Sequence, residues 1–111
     1  MNTIEVVAEI LCSLKAKIVN IELGHNEFHK ECIIVVLDTK ASKAMDTWLK
    51  LIDKLKEKGI DTPVFVYWTR ETDLAPEELG KYIAKALVKM NLFLATKKPL
   101  NSVELIEEEW E

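Results

Sequence analysis

The chain has 111 residues, with 15 Lys and Arg against 19 Asp and Glu, which gives a formal net charge of −4. Apolar residues make up 49% and charged residues 31%, with only three Gly and three Pro. These values predict one globular domain over residues 1–100 and an acidic C-terminal tail over 101–111. They exclude a disordered chain, which lacks the apolar surface to offset its conformational entropy, and a collagen-like chain, which needs far more glycine.

The distribution of cysteine and basic residues indicates the surroundings in which the chain works. No apolar run approaches the ~20 residues that a membrane span needs, so no membrane contact is expected. Two cysteines, Cys12 and Cys32, are fewer than a small secreted domain usually has, which favours free thiols in the cytoplasm. Arg70 is the only arginine, which disfavours sequence-specific reading of duplex DNA. Abundant Lys and Glu without any Gln is typical of thermophilic proteins.

The first half of the chain predicts a helix and a strand hairpin. Apolar residues at helical spacing indicate a first helix, with Thr3 as its N-cap. A strand rich in β-branched residues follows over 17–23 and ends at Gly24. Residues 32–37 are continuously apolar and predict a second strand that is buried on both faces. Because the connection between these strands is short, they are expected to pair antiparallel.

The second half alternates helices and strands. Ser42 is the predicted N-cap of a second helix that Gly59 ends. A third strand over 64–69 precedes a third helix, and a short last strand is predicted over 92–95. The predicted fold is therefore a single α/β domain in the order α-β-β-α-β-α-β. Its sheet is expected to be mixed but mostly parallel, with about four strands flanked by helices.

A pair of acidic residues and a lysine suggest a catalytic site. Asp38-Thr39-Lys40 follows the most apolar strand, at the strand end where α/β proteins collect their ligands, and Glu22 lies on the hairpin partner. This pattern resembles the half-motif of the PD-(D/E)XK (restriction-endonuclease-like) nucleases, although the Pro-Asp that opens the family's motif is absent. The resemblance implies that Glu22 and Asp38 are Mg²⁺ ligands and that Lys40 positions or activates the attacking water.

Two other interpretations of the same region stay open. In one, Asp38 and Thr39 cap the second helix and Lys40 is solvated. In the other, Leu23-Gly24-His25 resembles the Gly-Ser loop of minimal nucleotidyltransferases. That family has paired aspartates where this chain has 30–33, so the resemblance implies a catalytically inactive protein that serves as a partner module.

Trp68 and Arg70 are the predicted binding residues, because exposed Trp and Arg dominate interaction hot spots. The function that the sequence favours is a small cytoplasmic α/β module that binds a protein or nucleic-acid partner, or that pairs with a second copy as a homodimer. The alternative is a Mg²⁺-dependent nuclease that uses Glu22, Asp38 and Lys40.

Overall fold

Three helices and three strands make up residues 2–25 and 31–91, the part of the chain that the computed structural model describes. In chain order they are α1 (Thr3–Ser13), β1 (Ile18–Gly24), β2 (Cys32–Leu37), α2 (Ala41–Glu57), β3 (Val64–Trp68) and α3 (Pro76–Lys89). This order confirms the predicted sequence of elements through the third helix. The predicted last strand over 92–95 and the acidic tail over 101–111 lie outside the described residues.

The strands form a mixed sheet in the order β1-β2-β3. β1 pairs antiparallel with β2, as the short hairpin connection requires, and β2 pairs parallel with β3 across the crossover that α2 supplies. The prediction of a mixed sheet is confirmed. The described sheet contains three strands with one antiparallel and one parallel pair, so four strands and a mostly parallel sheet are not confirmed.

One face of the sheet forms the core together with α1 and α2. Ile33, Val35 and Leu37 of β2 are buried, and they alternate with Ile34 and Val36, which are only half-buried. Cys32, on the same face as Ile34 and Val36, is buried as well, so burial of β2 on both faces is confirmed only in part among the described residues. A continuous apolar run does not distinguish a strand covered on two faces from a central strand covered on one.

The N-cap of α1 is Asn2, so the prediction that Thr3 caps this helix is wrong. The Glu5 backbone N–H donates to Asn2 Oδ1 at 2.9 Å, and the Asn2 backbone N–H donates to Glu5 Oε1 at 3.0 Å. This reciprocal pair is a capping box, which satisfies two backbone donors at once. Asn2 and Thr3 are both of a residue type that favours the N-cap. Asn2 is the cap because Glu5, three positions later, completes the capping box with it.

Gly59 ends α2 as predicted. Its φ of +74° lies in the left-handed region, where glycine has no steric cost. The Ile60 N–H donates back to the Leu55 carbonyl at 2.9 Å, so one of the helix's last carbonyls is satisfied. Among the described helices, none combines the length and the apolar character needed to cross a bilayer.

Candidate functional site

A cleft of about 310 Å³ opens at the carboxyl ends of the parallel strands β2 and β3. The first turns of α2 form one wall, and the segment that leads from α1 into β1 forms another. Leu37 and Thr47, both buried, belong to its lining. The ionisable side chains that line it are Lys15, Lys17, Asp38, Lys40, Lys43 and Arg70. Ligands of open α/β sheets bind at this end of the strands.

The lining of the cleft is strongly cationic in a chain that is acidic overall. Among the described residues it contains five positive side chains and one carboxylate, whereas the whole chain has a net charge of −4. Within residues 2–25 and 31–91, the ion pairs are Arg70 with Asp38 and Lys89 with Asp53. The four lysines of the cleft therefore have no carboxylate partner among the described residues. Like charges gathered in a concave site raise the local potential and favour an anionic ligand.

Asp38 is held by two neighbours from the segment that follows β3. Arg70 Nε donates to Asp38 Oδ1 at 2.8 Å, and the Thr69 hydroxyl donates to the same oxygen at 3.1 Å. The Arg70 guanidinium first, and the Thr69 hydroxyl second, lower the pKa of Asp38 below its ordinary value of 3.8. The carboxylate is therefore charged at neutral pH, and it fixes one side of the guanidinium. Arginine has five N–H donors, so others stay available to a ligand.

Two lysines of the segment between α1 and β1 line the cleft. The Asp38 N–H donates to the Lys17 carbonyl at 2.8 Å, which continues the β1–β2 pairing by one residue. Lys15 has a φ of +59°, a left-handed conformation that costs energy in any residue with a Cβ. It ends α1, where the Ala16 N–H donates to the Leu11 carbonyl at 3.0 Å. Lys15 and Lys17 thus reach the cleft because α1 ends in a tight turn directly before β1.

The N-terminus of α2 is satisfied from the loop after β3. The Ala41 N–H donates to the Glu71 carbonyl at 3.1 Å, and the Ser42 N–H donates to Asp73 Oδ1 at 2.9 Å. The Ser42 hydroxyl also donates to Asp73 Oδ2 at 2.6 Å, and this bond lowers the pKa of Asp73. These two backbone donors are therefore already occupied and are not available to an anion in the cleft.

These contacts correct the predicted cap of α2. Lys40 is the N-cap residue and makes no side-chain cap hydrogen bond, while Ser42 lies within the first turn. The alternative in which Asp38 and Thr39 cap the helix is also wrong, because Asp73 performs this role. An acceptor 31 residues away along the chain leaves no signal in the local sequence.

Glu22 lies far from Asp38 in the structure. It is paired with Ile34 in the middle of β2, and four residues of strand, roughly 13 Å, separate Ile34 from Asp38. Its Oε1 accepts a hydrogen bond from Asn20 Nδ2 at 3.2 Å. The geometry brings Asp38 and Lys40 into one cleft but leaves Glu22 outside it. Two carboxylates on one Mg²⁺ ion need oxygens about 2.0–2.1 Å from the metal, and this register does not provide them.

The described residues contain no cluster of metal ligands elsewhere either. Within them, no three His, Cys, Asp or Glu side chains cluster closely enough to hold an ion. Asp38 is the one carboxylate that lines the cleft, and it already accepts hydrogen bonds from Arg70. The residues present do not fit the two-carboxylate Mg²⁺ site that the nuclease resemblance implies.

The two predicted binding residues lie in different concavities. Arg70 lines the cationic cleft, whereas Trp68 lines an apolar groove of about 180 Å³ between β3, α2 and α3. Trp68 is half-buried, and its Nε1 donates to the Thr72 hydroxyl at 3.0 Å. The structure therefore does not join them in one surface, and their role as binding residues stays a prediction.

Several cleft residues were not singled out from the sequence, namely Lys15, Lys17, Lys43 and Thr47. Two signals could have identified them. In an antiparallel hairpin the start of β1 lies beside the end of β2, which brings residue 17 to Asp38. Lys43 and Thr47 are one helical turn apart, directly after the strand end, and so they share a face of α2.

Comparison of the chain with known protein families, curated proteins and solved structures finds no related protein. No protein-family model matches the chain, and neither a curated protein nor a solved structure is similar to it at a significant level. The resemblances to PD-(D/E)XK nucleases and to minimal nucleotidyltransferases stay predictions that depend on sequence motifs alone.

Proposed function

We propose that the chain is a small binding module that holds a nucleic-acid strand by its phosphates in the cationic cleft. The observation that carries the proposal is the separation of charge: in the part of the chain that the structure describes, five cations line one cleft, although the whole chain has a net charge of −4. An acidic protein repels a polyanion over most of its surface. Binding is therefore expected at this cleft alone.

The kind of cation favours contacts with the backbone of the strand over contacts with its bases. Four of the five cleft cations are lysines, which act as point charges towards phosphate. Arginine supplies the bidentate fork that reads guanine, and the one arginine of the chain has part of its fork committed to Asp38. Phosphate contacts of this kind position a strand without reading its sequence. The module is accordingly expected to bind single strands of different sequence with similar affinity.

The proposed module would act in the cytoplasm. Cys12 and Cys32 are both free thiols, which suits a reducing compartment.

A pair of charge reversals on one helix tests the cleft. Lys43 lines it, whereas Lys50 lies two turns further along α2 and does not. We expect Lys43→Glu to weaken binding of a single-stranded oligonucleotide by about tenfold, because one lysine–phosphate contact is replaced by repulsion. The slope of log affinity against log salt should fall by about 1–2. Fluorescence anisotropy over a range of salt concentrations measures both quantities.

Lys50→Glu is the matched control, since it makes the same chemical change on an exposed position of the same helix. We expect its affinity to stay within about twofold of the wild-type value. Equal losses in the two variants would mean that overall charge, and not the cleft, governs binding. A wild-type chain that binds no strand at low salt would overturn the proposal.

A nuclease is the second candidate, and it is favoured by the presence of Asp38 and Lys40 in the same cleft. Glu22, the second carboxylate that this candidate needs, is paired with Ile34 well away from the cleft. The binding module requires no carboxylate at all. For this reason we place it ahead of the nuclease.

Asp38→Ala separates the two candidates. If the chain is a binding module, incubation with Mg²⁺ or Mn²⁺ should leave plasmid, single-stranded DNA and RNA intact in both the wild type and the variant. Gel electrophoresis of the products shows whether the nucleic acid was cleaved. Metal-dependent cleavage that disappears in Asp38→Ala would replace the binding module with a nuclease, and Glu22→Gln would then show whether the distant carboxylate takes part.

A further inference from the structure

Thr47 is a buried residue of the cleft lining, and its hydroxyl has no hydrogen-bond partner among the described residues. Thr47 is 5% exposed, and it is the one polar residue of the described chain in the buried class. A threonine in a helix commonly donates to the carbonyl one turn earlier, but no such bond joins Thr47 to Lys43. Buried polar groups are nearly always hydrogen-bonded, so an unpartnered hydroxyl on a residue that lines a cleft points to a ligand.

We propose that the cleft receives the terminal phosphate of a nucleic-acid strand, with the Thr47 hydroxyl as a hydrogen-bond donor to it. This inference rests on the proposed function and specifies which phosphate is bound. A terminal phosphate is a monoester with a charge of about −1.5 to −2 near neutral pH and three free oxygens. An internal diester has a single charge and two free oxygens. The terminal group is therefore the better match for a hydroxyl and several cations at once.

The shape of the cleft favours a strand end as well. A volume of about 310 Å³ is at the small end of ligand pockets and suits a phosphate with its attached sugar. An internal phosphate continues into nucleotides on both sides, so it must pass through the site. A terminal phosphate is attached on one side and can enter a concave site with its free oxygens first.

The charges around the hydroxyl support the same ligand. Lys43 lies one turn before Thr47 on α2, and Lys15, Lys17 and Lys40 also line the cleft. None of these lysines is ion-paired among the described residues. Asp38, the carboxylate of the lining, is engaged by Arg70 and is thereby partly neutralised towards an incoming anion. The net positive charge of the site suits a dianion better than a monoanion.

Three versions of one oligonucleotide test the inference. A single strand of about twelve nucleotides is labelled internally and carries a 5′-phosphate, a 3′-phosphate or a hydroxyl at both ends. We expect one phosphorylated end to increase affinity by about tenfold over the hydroxyl-ended strand, and the favoured end identifies the polarity of binding. A nucleoside monophosphate with the same terminal group serves as competitor. It should compete much more weakly than the strand.

Substitutions at Thr47 connect the preference to the hydroxyl. Thr47→Val keeps the shape of the side chain and should make the affinities for the phosphorylated and the hydroxyl-ended strand nearly equal. Thr47→Ser keeps the hydroxyl and should retain most of the preference for the phosphorylated strand. Thermal unfolding in the absence of ligand provides a second measurement. Thr47→Val should be at least as stable as the wild type, because the hydroxyl that it removes has no partner among the described residues.

The outcomes separate this inference from the proposed function. If the three strands bind equally and Lys43→Glu still weakens all of them, the cleft binds internal phosphates and the end-specific inference is wrong. If a nucleoside monophosphate competes as well as the strand, the ligand is a free nucleotide. If Thr47→Val keeps the full preference, the hydroxyl is not the donor. Failure of every strand to bind would overturn the proposed function itself.

Discussion

Leu51→Ala is expected to lower the free energy of unfolding by about 2–5 kcal/mol. Leu51 lies on α2, is 0% exposed and belongs to the core cluster that α1, α2 and the sheet share. Alanine is the better helix former, so the loss would come from packing: fewer buried apolar atoms and the cavity that their removal leaves. A domain of this size has about 5–15 kcal/mol of stability in total, so the variant should be marginal.

Urea denaturation monitored by circular dichroism measures this loss. The matched control is Leu23→Ala, since Leu23 is 55% exposed at the end of β1 and should cost less than about 1 kcal/mol. The dependence of unfolding free energy on urea should be the same in both variants, because the surface exposed on unfolding hardly changes. Similar losses in the two variants would contradict a core on this face of the sheet.

The elements that the sequence predicted correctly are those in which local pattern and tertiary packing agree. α2 shows this best: its apolar stripe faces the core, and Gly59 ends it with the left-handed conformation that only glycine adopts without cost. The cap of α2 could not be predicted in the same way. Asp73 reaches it from the loop after β3, and only the parallel pairing of β2 and β3 brings that loop to the helix.

The candidate site was predictable in its location but not in its composition. Asp38 and Lys40 lie at the strand end where α/β ligands bind, as expected from the apolar run that precedes them. Glu22 was assigned to the same site because the sequence between the two strands contains no turn motif that would fix the register of the hairpin. The observed register pairs Glu22 with Ile34 and brings Lys17 to Asp38. A difference of a few residues in register therefore replaces a carboxylate with a lysine and changes the expected ligand from a metal ion to an anion.

β3 is an edge strand of the described sheet, and the second large effect is expected where Trp48 contacts it. Trp48 is 4% exposed, and its Nε1 donates to the Val64 carbonyl at 2.7 Å. The neighbouring Pro63 carbonyl accepts from Ile33 of β2, so the Val64 carbonyl points away from the sheet, towards the edge. The indole also packs against Phe65, with ring centroids 6.3 Å apart. The Trp48 side chain thus packs in the core and also donates a hydrogen bond to a carbonyl of β3.

Trp48→Phe should lower the free energy of unfolding by about 2–4 kcal/mol, because it leaves a buried carbonyl without a donor and removes part of a large ring. Trp68→Phe is the matched control. The Trp68 indole N–H donates to the Thr72 hydroxyl in an exposed setting, where water can replace it. This substitution should therefore lower the free energy of unfolding by less than about 1 kcal/mol. Urea denaturation compares the two. If Trp48→Phe cost no more than Trp68→Phe, the Val64 carbonyl would have another donor, and the edge of β3 would not depend on the indole.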